Sequence, residues 1–277
     1  MKSLILIIKG FFMGLANLIP GVSGGTMAIT LGIYDKLINV ISHLFKNFKD
    51  NMKFIIPIVI GILLSIITLS KVISYALTYF LFPTILFFVG AIIGGVPMLY
   101  RKVKGNSSIS SYFIFTITFI IIVALTFLTG DNLVDLSSVN IISYIKLFGV
   151  GVISSATMVI PGISGSAMLM TLGYYEPIIN VIKDLTNFAN ILYNLKILIP
   201  FGLGVVIGIL LIAKLIEYLL NKYEVKTYYA ILGFVFGSAL SIILQNLIGI
   251  NLNILEVIIG IILFIIGFLV AYKLGDK

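Results

Sequence analysis

The sequence contains no cysteine and no tryptophan, and it has one histidine (His43) and one arginine (Arg101) among 277 residues. Without cysteine there is no disulfide, no thiol nucleophile and no thiolate metal ligand. One histidine cannot form the histidine clusters that bind zinc or non-haem iron. The sequence therefore predicts no metal site and no catalytic residue. With so few groups for acid–base chemistry, it also argues against a lipid phosphatase or another membrane enzyme.

Charged residues are also scarce: they make up 10% of the chain, whereas hydrophobic residues make up 60%. A water-soluble fold would have too few charges for its surface, so the composition predicts an all-α polytopic membrane protein. The net charge of +8 is carried by lysines that lie mostly between the apolar runs. There they would orient the chain and contact anionic lipid, so the charge does not indicate a nucleic-acid partner.

One eight-residue motif occurs twice, and each copy interrupts an apolar run. Residues 19–26 read IPGVSGGT and residues 160–167 read IPGISGSA, 141 positions later. Between 19–41 and 160–182, 14 of 23 positions are identical without a gap. Proline lacks the backbone N–H and glycine permits positive φ, so neither motif is plain membrane helix. Interrupted apolar segments at matching places in two halves indicate a transporter binding site.

The duplication extends over the whole chain, because residues 53–77 align with 196–220 at an offset of 143. We therefore predict one membrane domain, 1–277, with repeat A at 1–135 and repeat B at 136–277. Each repeat has a broken element containing the motif, followed by three apolar spans. A helical run of about 26–45 is expected after the first motif.

Two topologies fit this plan, and the positive-inside rule separates them. If each broken element is a re-entrant helical hairpin, each half crosses three times and the repeats have inverted topology; if it crosses, the halves are parallel. The re-entrant arrangement puts 12 basic residues on one side and 3 (Lys146, Lys183, Lys196) on the other. The 12 are Lys2, Lys9, Lys46, Lys49, Lys53, Arg101, Lys102, Lys104, Lys222, Lys226, Lys273 and Lys277. We therefore predict inverted repeats, with both termini cytoplasmic and the two motif tips facing each other.

The motif tips have the chemistry of an anion site. Irregular backbone at membrane depth is tolerated where it lines a cavity. A helix that restarts after Pro-Gly has free N–H groups, and neighbouring hydroxyls add donors suited to phosphate. The alternative is that proline and glycine only kink two packed helices. The predicted substrate (phosphate)-binding residues are Asn17, Pro20, Gly21, Ser23, Gly24, Gly25, Thr26, Pro161, Gly162, Ser164, Gly165 and Ser166.

Two pairs of charged residues occupy equivalent places in the repeats. Lys71 and Lys214 are candidate headgroup cations, although lysines of this kind also snorkel to the membrane surface. Glu217, three residues after Lys214, is placed to pair with it. Asp35 and Glu176 are candidates for coupling to a proton or Na⁺, unless they only face water at the end of an arm. No ATP-binding motif and no cofactor is predicted.

The first motif and its surroundings resemble the signature of the PopT-type polyprenyl-phosphate (undecaprenyl-phosphate) transporter family, long a bacterial membrane domain of unknown function. The resemblance is carried by residues 10–28, GFFMGLANLIPGVSGGTMA, and 31–35, LGIYD, and it covers essentially the whole chain. It implies a flippase of the bacterial cytoplasmic membrane, with undecaprenyl phosphate and membrane lipid as its partners. That flippase would return the lipid carrier from the outer to the inner leaflet for cell-envelope synthesis.

The residues alone lead only to a transporter with a paired anion site. A channel or secondary transporter for a small anion stays open as an alternative, as does a role as a subunit of a complex. Whether the protein forms a homo-oligomer is also left open.

Overall fold

In a computed structural model, residues 3–19, 22–128, 133–136, 140–186, 190–250 and 253–275 are described. Within these ranges every regular element is an α-helix. The helices of the first half are α1 (Ser3–Asn17), α2 (Gly24–Thr30), α3 (Tyr34–Ser42), α4 (Phe48–Tyr79), α5 (Leu81–Gly94), α6 (Val96–Val103) and α7 (Ile109–Leu125). The remaining helices are α8 (Ile141–Val159), α9 (Gly165–Thr171), α10 (Tyr175–Thr186), α11 (Ile191–Lys222), α12 (Glu224–Leu247) and α13 (Ile254–Gly275). The predicted all-helical class is confirmed.

Helix lengths recur in the two halves. A seven-residue helix follows each motif, α2 in the first half and α9 in the second. Each half also contains a 32-residue helix, α4 or α11, with one internal proline, Pro57 or Pro200. The division of the chain into repeat A and repeat B between residues 135 and 136 stays a prediction.

The helical run expected over about 26–45 is wrong in one respect, because the chain breaks between α2 and α3. Gly32 adopts φ of +69°, a left-handed conformation that follows the end of α2 and changes the direction of the chain before α3 begins. The equivalent Gly173, with φ of +75°, separates α9 from α10. Each motif is therefore followed by two short helices in place of one.

Six helical segments in the described ranges are long and apolar enough to cross a membrane. They are α4, the continuous α5–α6 segment, α8, α11, α12 and α13. This set differs from the predicted spans at two places. The predicted third span of the first half, α7, has 17 residues, whereas α8, which we assigned to the second broken element, has 19.

The main helix contacts occur both within each half and between the two halves. Within each half the helix before the motif packs on the long helix, α1 on α4 and α8 on α11. Between the halves, α5 packs on α13 and α12 packs on α7. Glycines allow these close approaches: a Cβ added at Gly61 would overlap the Ile7 carbonyl, and one at Gly233 would overlap the Phe115 carbonyl.

This packing gives a matched stability test on the two long helices. The Gly61→Ala variant should unfold at a lower temperature in detergent, at a cost of about 1–3 kcal/mol, because two backbones must separate. Gly202 on α11 faces open space, so Gly202→Ala should keep the wild-type midpoint. Equal midpoints for the two variants, measured by thermal denaturation, would contradict the close contact of α1 and α4.

Candidate functional site

The two motifs, far apart in sequence, touch in the fold. The Gly162 N–H donates to the Thr26 hydroxyl at 2.7 Å, between residues 136 positions apart. A Cβ placed on Gly25 would lie 3.1 Å from the Met158 carbonyl and 3.2 Å from that of Val159. The structure thus brings together the two predicted tips. Two predicted residues of the first motif, Pro20 and Gly21, lie outside the described residues.

The first motif is shaped by a helix cap and lies within the main hydrophobic core. Ser23 is the N-cap of α2, and its hydroxyl accepts a hydrogen bond from the Gly25 N–H at 3.2 Å. Ser23 is 4% exposed and Thr26 is 1% exposed. Both hydroxyl-bearing residues of the first motif are therefore buried.

The second motif is more open. Gly162 turns the chain with φ of +87°, which only glycine adopts readily. Ser164 is the N-cap residue of α9, but its side chain makes no capping hydrogen bond, and its hydroxyl lies 2.8 Å from that of Ser166. Ser166 is exposed, whereas its counterpart Gly25 is buried. The second motif consequently presents two adjacent hydroxyl groups, whereas the first motif has a glycine, Gly25, at the position equivalent to Ser166.

A cavity of about 400 Å³ lies where the motifs meet. Three of its lining residues, Asn17, Met158 and Ser166, are exposed, so it communicates with the surroundings of the protein. Its lining contains no charged side chain within the described ranges. The lining comprises Met13, Asn17, Val22, Ser23, Gly24, Gly25, Tyr34, Leu37, Ile38, Ile41, Met158, Val159, Ser164, Gly165, Ser166 and Ile209.

The predicted binding residues divide into two groups by position. Seven line the cavity: Asn17, Ser23, Gly24, Gly25, Ser164, Gly165 and Ser166. Thr26, Pro161 and Gly162 do not; Thr26 and Gly162 join the two motifs instead. The prediction that these three contact a ligand therefore has no support from the geometry.

Loss of the contact between Thr26 and Gly162 should loosen the site. Thr26→Val leaves the buried Gly162 N–H without its acceptor, at a cost of roughly 1–3 kcal/mol. We expect a lower unfolding temperature and reduced transport, whereas Thr26→Ser, which keeps the hydroxyl, should retain both. Wild-type thermal stability of Thr26→Val in detergent would show that the hydrogen bond contributes little.

Sequence reasoning missed Tyr34, which lines the cavity and bridges the two halves. It is buried, and its hydroxyl donates to the Val159 carbonyl at 3.1 Å. The one feature of the sequence that could have pointed to Tyr34 is that the second repeat has a tyrosine, Tyr175, at the equivalent position. A tyrosine beside a carboxylate is also typical of a membrane surface, so that signal did not single out a contact.

Asp35 belongs to a second, polar cavity of about 340 Å³. Its carboxylate accepts a hydrogen bond from the Tyr228 hydroxyl at 2.6 Å and lies 3.4 Å from the Lys102 ammonium. Ile38 lines both cavities and separates them. Asp35 therefore does not line the cavity between the motifs.

Glu217 lies in the same polar cavity, and its predicted pairing with Lys214 is wrong. The Glu217 carboxylate accepts from the Asn39 amide at 2.8 Å and lies 3.3 Å from His43 Nδ1. It thus joins α11 of the second half to α3 of the first. We call these contacts, together with those of Asp35, Lys102 and Tyr228, the polar cluster.

The other charged candidates lie apart from the motifs. Glu176 is exposed in a third cavity of about 370 Å³, which it shares with Asn180 and Asp184. Lys71 and Lys214 are exposed, and neither lines any of the cavities found in the described part of the chain. The structure therefore does not bring the predicted headgroup cations to the predicted site.

A family profile described as VCA0040-like, undecaprenyl phosphate translocase-like, matches residues 13–253 and so includes both motifs. The chain belongs to this family. Membership confirms the predicted resemblance and indicates a membrane transporter rather than an enzyme. With six candidate spans, the chain is a multi-pass membrane protein.

Two relatives carry the name polyprenyl-phosphate transporter. The chain is 38% identical over 279 residues to one from Staphylococcus aureus (strain NCTC 8325 / PS 47), covering 97% of this chain and 95% of the relative. It is 32% identical over 245 residues to one from Vibrio cholerae serotype O1 (strain ATCC 39315 / El Tor Inaba N16961), covering 83% of this chain and 74% of the relative. No solved structure matches the chain.

Proposed function

We propose that the protein is a lipid flippase that translocates undecaprenyl phosphate from the outer to the inner leaflet of the cytoplasmic membrane. The carrier is thereby recycled for cell-envelope synthesis, and its phosphate binds between the two motifs. The observation that carries this proposal is the cavity of about 400 Å³ lined by both motifs. Family membership and the names of the two relatives support the choice of lipid.

The lining of the cavity suits an amphipathic lipid phosphate. The Asn17 amide and the hydroxyls of Ser23, Ser164 and Ser166 can donate hydrogen bonds to phosphate oxygens. Glycines beside these groups let the headgroup approach the backbone. Leu37, Ile41, Ile209 and the two methionines give the same cavity an apolar wall, against which the first isoprene units can pack.

The proposed topology is the inverted repeat with two re-entrant hairpins and both termini cytoplasmic. Contacts of two basic side chains of α6 with tyrosine rings of α12 and α13 support it, because they place predicted cytoplasmic residues of both halves close together. Lys102 lies 5.5 Å from the Tyr228 ring, and Arg101 lies 6.0 Å from the Tyr272 ring. One correction applies to the charge count: Lys9 is buried, so it is not a loop charge and the ratio becomes 11 to 3.

The transport cycle that we propose alternates access to the cavity from the two sides. In this structure α3 packs against α11 of the other half, and the contacts of Glu217 with Asn39 and His43 stabilise that packing. Its counterpart α10 packs against α11 of its own half and against α9. We propose that α3 closes the cytoplasmic path here and that release requires α3 to leave α11. Ion coupling through Asp35 and Glu176 remains part of the proposal.

Surface exposure of the carrier tests this function. In bacteria that depend on this protein, its depletion should raise the amount of undecaprenyl phosphate that a membrane-impermeant headgroup-binding probe detects at the cell surface. Re-expression should lower that signal again. If exposure does not change, while liposomes containing the protein conduct inorganic phosphate, the alternative of a small-anion transporter replaces the flippase.

A further inference from the structure

Lys9 is the one buried charged side chain among the described residues, at 1% exposure. Its ammonium donates a hydrogen bond of 2.6 Å to the Leu31 carbonyl, which follows the last residue of α2. No described carboxylate forms an ion pair with it. Burying a charge without a counter-ion costs folding free energy, so a lysine at this position suggests a role other than packing.

The position of Lys9 connects it to the wall of the motif cavity. Lys9, Met13 and Asn17 follow each other at four-residue intervals, so they share one face of α1. Met13 and Asn17 line the cavity. Leu31, the partner of Lys9, ends the short segment that begins at Ser23, and the seven residues of α2 span roughly 10 Å. The ammonium therefore lies roughly 10 Å along α2 from Ser23. It is held by α1 and by the end of α2, and both helices also contribute residues to the cavity lining.

An anionic headgroup in this cavity needs a compensating charge. Moving a phosphate into a site of low dielectric without a cation is strongly unfavourable. Among the described residues, the lining supplies hydrogen-bond donors but no charged side chain, and Lys71 and Lys214 are exposed elsewhere. In a low-dielectric interior a fixed charge about 10 Å away still contributes, because little water screens it.

We infer that Lys9 is a positioning residue that supplies the positive charge selecting the phosphate headgroup over an uncharged polyprenol. The inference rests on the proposed function. Lys9 does not touch the substrate; its charge acts through the wall that α1 and α2 build. The equivalent position in the second repeat is Val150, which is buried and apolar. The charge of Lys9 thus has no counterpart at the equivalent position of the second repeat.

The test compares the affinities of the purified protein in nanodiscs for undecaprenyl phosphate and for undecaprenol. Lys9→Met removes the charge, Lys9→Gln also removes it but keeps a donor for Leu31, and Lys9→Arg keeps both. Both neutral variants should lose about tenfold in preference for the phosphate, equivalent to about 1.4 kcal/mol, with undecaprenol affinity unchanged. Lys9→Arg should retain the preference. A purely structural role would weaken binding of both lipids together.

The outcomes separate this inference from the proposed function. If the wild-type protein prefers the phosphate and the neutral variants that fold keep that preference, Lys9 does not select the headgroup, although the flippase proposal stands. If the wild-type protein itself does not prefer undecaprenyl phosphate over undecaprenol, the phosphate site between the motifs is wrong, and the role of Lys9 fails with it. Lys9→Gln decides the matter if Lys9→Met does not fold.

Discussion

Replacement of Gly24 by leucine is expected to reduce lipid translocation at least tenfold, a loss of about 1.4 kcal/mol or more in transition-state stabilisation. Gly24 lines the motif cavity, and a Cβ at this position would lie 2.9 Å from the Asn17 side-chain oxygen. A leucine side chain would displace the Asn17 amide and occupy the space assigned to the phosphate. The atom that it meets belongs to an exposed side chain that can move, so we expect the variant to fold.

Two other glycine substitutions make this prediction specific. Gly202→Leu adds the same side chain on α11, where an added Cβ meets nothing within 4 Å, and it should transport like the wild type. Gly25→Leu would instead press on backbone carbonyls at the end of α8, just before the second motif, and backbone atoms there cannot move easily. We expect it to lose both stability and transport. Transport by purified Gly24→Leu at the wild-type rate would show that the headgroup does not pass this residue.

A covalent link between α3 and α11 is expected to stop transport entirely. The Asn39 amide and the Glu217 carboxylate are 2.8 Å apart across the two halves. The natural chain has no cysteine, so an Asn39→Cys, Glu217→Cys variant has only these two thiols. A short bifunctional thiol reagent with a reducible bond should hold α3 against α11 and keep the cytoplasmic path closed. Reduction of the link should restore activity in proteoliposomes.

The control for this experiment is a second link between the halves. The Thr126 and Ser241 hydroxyls are 2.6 Å apart and join α7 to α12, a contact that we expect to persist through the cycle. A cross-linked Thr126→Cys, Ser241→Cys variant should therefore remain active. If the link between α3 and α11 leaves transport intact, the separation of these helices is not part of the cycle. If both links stop transport, the interlocked helices also move.

Much of the candidate site could be predicted from the sequence, because the duplicated motif indicates which two segments form the site. Two copies of an interrupted apolar run predicted that the motifs come together, and the contact between Thr26 and Gly162 bears this out. The role of Thr26 could not be predicted in the same way. Its hydroxyl is the same group whether it binds a ligand or a backbone N–H, and only the approach of the second motif decides between them.

The other differences between the predictions and the structure arise from features of the folded chain that the spacing of residues in the sequence does not reveal. Lys9 looked like a loop charge because it lies near the start of the chain, yet packing of α1 on α2 buries it against Leu31. Glu217 looked like a partner for Lys214 at helical spacing, but α3 of the other half supplies Asn39 and His43. The break at Gly32 was hidden because its left-handed φ is a property of the folded backbone.

The most direct test of the central claim is a headgroup-accessibility assay in proteoliposomes that carry undecaprenyl phosphate with a radiolabelled phosphate. A membrane-impermeant phosphatase added outside can release label only from lipids whose headgroups reach the outer leaflet. Over an interval in which the wild-type protein releases nearly all the label, we predict that Gly24→Leu releases little beyond the share that was already in the outer leaflet. Equal release from vesicles with the wild-type protein and vesicles without protein would contradict the claim that the phosphate crosses between the two motifs.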